Sequence, residues 1–205
     1  MGIESRAARA VAGAIALVGC GGLAAQFSAT FDLNGSIAGT VWILARYFTI
    51  LTNILAALVL TGVALGRPAF RAPILLGGVT LATLLVGVIY SLLLRGLHQL
   101  SGAARLADLI LHDVVPVLVS LFWLFLVPKR ALSIRAPFLW ALYPLAYLVY
   151  ALARGAVERR YAYPFIDIAQ IGWPQAAINI LAIMLGFLAA AFALVWLDRL
   201  IGPER

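Results

Sequence analysis

The chain has 205 residues, 64% of them hydrophobic and 11% charged, with a mean hydropathy of +1.05 and a net charge of +7. A water-soluble domain runs nearer half apolar and a quarter charged, and one of this length has too little interior to hide so much apolar surface. Composition therefore excludes a soluble enzyme and a soluble nucleic-acid binder, and it points to an all-α polytopic membrane protein.

Roughly 20 apolar residues cross a bilayer as a helix, and six stretches qualify: residues 8–29, 42–65, 73–95, 106–127, 137–154 and 175–198. The expectation is a single domain, 1–205, built as a six-helix transmembrane bundle. Span one begins with Arg6 and Arg9 and carries Gly13, Gly19, Gly21 and Gly22. Such small residues let helices approach closely, within the chain or between copies. Its basic start and apolar middle also resemble a secretory signal, and Leu17-Val18-Gly19-Cys20 a lipoprotein cleavage box. The reading taken is a retained span in which Cys20 is a small apolar packing residue. A single cysteine forms no intrachain disulfide.

Span two places Arg46, Thr49 and Asn53 on one helical stripe. A lone Thr in a membrane helix commonly bonds its own i−4 carbonyl, which is the bland reading of Thr49. Gly66-Arg67-Pro68 ends the span, and span three closes on Tyr90, Ser91 and Arg95. The connection that follows holds His98, Gln99 and Ser101, a solvated setting. Span four then contains the loudest chemistry in the chain, Asp108, His112 and Asp113 amid Leu, Ile and Val. Ionisable groups in hydrocarbon cost about 2.5–3.5 kcal/mol each on insertion scales, and they are rare unless they pair or work. Asp108 stands four residues before His112, so its carboxylate can orient the imidazole, whereas Asp113 points elsewhere. After Pro128-Lys129-Arg130, span five lines up Tyr143, Tyr147, Tyr150 and Arg154, and Gly172-Trp173-Pro174 precedes span six with Asn179.

With the N-terminus in the cytoplasm, nine Lys and Arg residues fall on the inner side and six on the outer, several of the six lying in helix ends. The positive-inside bias thus favours both termini in the cytoplasm, in the cytoplasmic membrane if the source is bacterial. In that frame Thr49 lies roughly 10 Å and His112 roughly 9 Å below the outer helix ends. Tyr90, Tyr147, Tyr150, Arg154 and Asn179 gather at the same level as a pocket, while the inner halves stay nearly bare of ionisable groups.

Two histidines at different depths give no metal ligand set and no haem pair, and the only lysine, Lys129, sits at a helix end, so no cofactor is expected. Nucleophilic acyl transfer needs a hydroxyl, a base and oxyanion donors. Thr49, His112 and either Asn53 or Arg46 supply those types, with Asp108 to hold the imidazole tautomer.

Arg46-Tyr47-Phe48-Thr49 with Asn53, Leu111-His112 with Val115-Pro116, Pro144-Leu145-Ala146-Tyr147, and Tyr161-Ala162-Tyr163-Pro164-Phe165 resemble the androgen-induced membrane protein family and its bacterial six-span relatives. Animal members are threonine hydrolases of fatty acid esters of hydroxy fatty acids. The resemblance implies a nucleophile at Thr49 after the basic-aromatic-apolar triplet, a histidine at His112, and a lipid or fatty-acyl ester substrate. It departs from the animal proteins in having Arg at position 46 and a second hydroxyl, Thr52. The rival expectation is a lipid-binding protein or proton-coupled carrier that grips an anionic headgroup through Arg46 and Arg154, with His112 as the proton site.

Overall fold

The computed structural model describes residues 2–97 and 99–201, so His98 lies outside the described residues. Every regular element among these is helical: α1 (Arg6–Asn34), α2 (Ile37–Leu44), α3 (Phe48–Ala64), α4 (Pro73–Ile89), α5 (Gly102–Leu109), α6 (Val115–Leu126), α7 (Ala136–Glu158) and α8 (Ile168–Leu200). Two π-turns extend or join them: Tyr90–Leu94 continues α4, and Ile110–Val114 welds α5 to α6. Five of the resulting rods are long and apolar enough to cross a bilayer, and α2 with α3 forms a sixth, bent unit. The protein is an integral membrane helical bundle.

Span ends behave as their chemistry dictates. Ser5 caps α1 by accepting from the Ala8 N–H at 3.1 Å, and Gly35 stops that helix in the left-handed conformation, φ 69°. Gly172, at φ 74° and ψ 162°, breaks α8 near its start, just ahead of Pro174.

Helix α1 lies along α3 with Ala8, Ala12, Ala16 and Gly19 buried, the close approach that small residues permit. Cys20 corrects its expected role: it is exposed on the outward face, while the neighbouring Gly19 and Gly22 pack. The apolar core joins Leu60, Val63, Val79, Val119, Trp123 and Ala191 from four helices. Trp140 of α7 lies over Gly77 and Gly78, and its indole N–H donates to the Ile74 carbonyl at 2.8 Å.

At the end of the bundle holding the α6–α7 connection, fully buried Asp198 accepts from the Leu132 N–H at 3.0 Å and fixes that connection. Lys129 caps the end of α6 through the carbonyls of Trp123 and Val127. Burial there pulls its ammonium below the usual lysine range.

The largest departure from sequence expectation is in span two. Residues 42–65 do not form one helix: α2 ends at Leu44, α3 starts at Phe48, and their axes differ by 96°. Neither Pro nor Gly marks the place. The broken backbone is satisfied from outside instead, by the polar stripe of α7. Tyr147 donates to the Arg46 carbonyl at 2.8 Å, Tyr150 to that of Ala45 at 3.0 Å, and Arg154 to that of Trp42 at 2.6 Å. A tertiary partner supplies what an unbroken helix would have found within itself.

Candidate functional site

The break puts Thr49 in the first turn of α3 rather than a third of the way down a span. It is buried there, with 8% of its surface exposed. Span four starts earlier than expected, at Gly102, and brings His112 to the same level on its π-turn. The Thr49 hydroxyl oxygen lies 3.2 Å from Nε2 of His112.

The other ring nitrogen settles how the proton is distributed. His112 Nδ1 stands 3.1 Å from the Asp108 backbone carbonyl and 3.1 Å from Asp108 Oδ1, and both are acceptors. In a neutral imidazole the proton therefore sits on Nδ1, leaving the Nε2 lone pair facing the hydroxyl. Tyr90 donates to the other carboxylate oxygen of Asp108 and stacks on the imidazole, ring centroids 4.0 Å apart and planes 18° from parallel. Arg95 lies over Tyr90 and pairs with Asp113, which keeps the second acid away from His112.

The π-turn has a local cause. Val115 N–H bonds the carbonyl five residues back, at Ile110. The next residue, Pro116, has no N–H, so the Leu111 carbonyl has no donor in that register. Asn53 fills the gap: its amide donates to Leu111 O at 3.3 Å and to Thr49 O at 2.9 Å. One buried side chain thus clamps the Thr49 turn to the His112 turn. Gly87 of α4 backs the same turn, since a Cβ there would stand 3.0 Å from the His112 carbonyl.

Several residues expected at the pocket take other work. Asn53 spends both amide hydrogens on carbonyls, so it holds the site and leaves no N–H for an oxyanion. Arg46 does not share a stripe with Thr49, because the break separates them. Its guanidinium binds Glu158 at 2.5 Å, and Arg154 binds the same carboxylate at 2.7 Å. Arg154 also covers the Trp42 ring at 4.1 Å, and Tyr150 joins it in bracing the break. Asn179 donates to the Phe165 carbonyl at 3.0 Å and accepts from Gln175, fixing the loop beside the site from behind. Tyr147 does line the cavity next to Thr49. Arg46 and Arg154 thus share the single Glu158 carboxylate, and Nε and Nη1 of Arg46 are buried without a partner.

The roles of two residues escaped sequence reasoning. Glu158 was legible in principle, four positions after Arg154 on the same helical face. Tyr163 stood in the Tyr161–Phe165 motif, but its contact was not legible: its hydroxyl accepts from the Phe48 N–H at 3.0 Å and lies beside Thr49. Burial raises its phenol above the ordinary tyrosine range, so it remains a proton donor at neutral pH. Thr52, the second hydroxyl, is fully buried and bonds Tyr143 at 3.1 Å, away from His112.

Thr49 also stands where two cavities meet. One, of about 90 Å³, is apolar and lined by Val86, Ile89, Tyr147, Ile180, Ile183 and Met184. The other, of about 550 Å³, is mixed: Gln26, Thr30, Asn34, Asp108, His112 and Arg160 stand in it among leucine and isoleucine side chains. Among the described residues, no group of three or more His, Cys, Asp or Glu converges to hold a metal ion. No family model, curated protein or solved structure matches the chain.

Proposed function

We propose that the protein is an intramembrane ester hydrolase with Thr49 as nucleophile and His112 as general base and acid. The observation that carries this reading is the 3.2 Å approach of the Thr49 hydroxyl to His112 Nε2, with Nδ1 committed to Asp108. Hydroxyl, imidazole and carboxylate in that order are the parts of an activated nucleophile. The resemblance to membrane threonine hydrolases selects the same two residues.

Thr49 Oγ attacks the ester carbonyl carbon as its proton passes to Nε2. Negative charge then develops on the carbonyl oxygen, next to the opening turn of α3. In that turn the Phe48 N–H is taken by Tyr163 and those of Ile50 and Leu51 by the Tyr47 carbonyl, so the Thr49 N–H, the positive end of the helix dipole and the proton of the Tyr163 hydroxyl are what face the oxyanion. The imidazolium, steadied by Asp108, gives the proton to the departing alkoxide. Water, deprotonated by His112, next attacks the acyl-threonine, releasing a carboxylic acid and restoring the hydroxyl. The positive-inside bias favours an orientation with this chamber toward the non-cytoplasmic face, which would supply the water.

The test compares turnover of p-nitrophenyl and hydroxy-fatty-acid esters by the purified protein with that of Thr49→Ala and His112→Ala. Loss of at least about a hundredfold in both variants is expected, the scale of positioned acid–base catalysis. Equal turnover by all three proteins ends the hydrolase reading.

A further inference from the structure

The two cavities differ in size and character, and the chemistry decides which half of an ester each one takes. Building on the hydrolase reading, we propose that the substrate is a short-chain acyl ester of a larger, amphipathic alcohol, with the acyl group seated in the small apolar cavity between α4, α7 and α8. His112 protonates the leaving alkoxide, so the alcohol must lie on the His112 side of Thr49. Of these two cavities, His112 and Asp108 line the larger and not the smaller. The acyl chain leaves the carbonyl carbon in the other direction, past Thr49 and Tyr163, which belong to both walls.

Volume sets the chain length. The apolar cavity, at about 90 Å³, is smaller than the ~150 Å³ cavity that accepts a benzene ring. It suits an acyl group of about four to six carbons. Val86 is buried, and the half-buried Ile183 and Met184 contribute the α8 side of this partly open cavity. The larger chamber, at about 550 Å³, falls within the ordinary range for a small-molecule site. Its Gln26, Thr30, Asn34 and Arg160 offer donors and acceptors to hydroxyl-bearing alcohols.

The experiment measures kcat/KM for p-nitrophenyl esters from acetate to palmitate with wild type, Met184→Trp and Met184→Ala. Wild type is expected to peak at butyrate or hexanoate. Met184→Trp should lower hexanoate turnover roughly tenfold or more while sparing acetate, because each misfitted methylene is worth about that factor. Met184→Ala should move the optimum to longer chains. A wild-type rate that climbs steadily to palmitate, or a tryptophan variant that lowers every ester equally, overturns the acyl-cavity assignment and leaves the hydrolase reading standing. Absence of turnover with every ester overturns both.

Discussion

Replacing Asn53 tests whether the Thr49–His112 geometry is held by a clamp or arises from packing alone. The side chain is 1% exposed, and its amide bridges the carbonyls of Thr49 and Leu111. Asn53→Leu removes two hydrogen bonds worth about 1 kcal/mol each. It also removes the buried Oδ1, which has no partner, and so returns part of that loss. A net destabilisation of about 1–2 kcal/mol follows. Asn53→Asp keeps the shape but sets carboxylate oxygens against two carbonyls in a buried site, and it should cost about 3 kcal/mol or more. Reversible unfolding in detergent, followed by tryptophan fluorescence, measures both. Fluorophosphonate labelling of Thr49 reports the local effect, which should be slower in both variants because the two turns are no longer tied. An aspartate variant as stable as the leucine one, with labelling unchanged in either, would refute the clamp.

Gly87→Val presses a branched side chain on the His112 carbonyl and on Pro116. It should cost about 1–3 kcal/mol by overpacking and slow Thr49 labelling, whereas Gly21→Val, which meets open space, should alter neither. Glu158→Gln leaves Arg46 and Arg154 without their shared counter-charge and should lower the thermal midpoint well below that of Asp113→Asn. The Asp113 pair with Arg95 is half exposed and worth under about 1 kcal/mol. Equal midpoints would show that the α2–α3 break does not depend on the shared Glu158 carboxylate.

What the sequence revealed and what it hid divide along physical lines. Apolar length is a local property, so spans one, three, four and five are visible within about five residues of their ends, whereas α8 begins at Ile168, well before the expected start of span six at residue 175. The Asp108–His112 relation is also local, four residues on one helix, and the α7 stripe of Tyr143, Tyr147, Tyr150 and Arg154 follows from helical period. The break before Phe48 is not local, because the groups that satisfy it come from α7, more than a hundred residues later. That one hidden feature separates Arg46 from the span-two stripe and explains why Tyr150 and Arg154, read from the α7 stripe, brace the broken backbone. Pro116 was a visible signal whose consequence, a free Leu111 carbonyl, needed Asn53 opposite it to become meaningful.

The most direct measurement is the site of covalent acylation. Purified protein treated with a fluorophosphonate, digested and mapped by mass spectrometry should carry the label on Thr49 alone. Labelling should persist in Thr52→Ala and fall to background in His112→Ala. Modification at another residue, or undiminished labelling of Thr49 without the imidazole, would contradict the assignment of an activated threonine in this bundle.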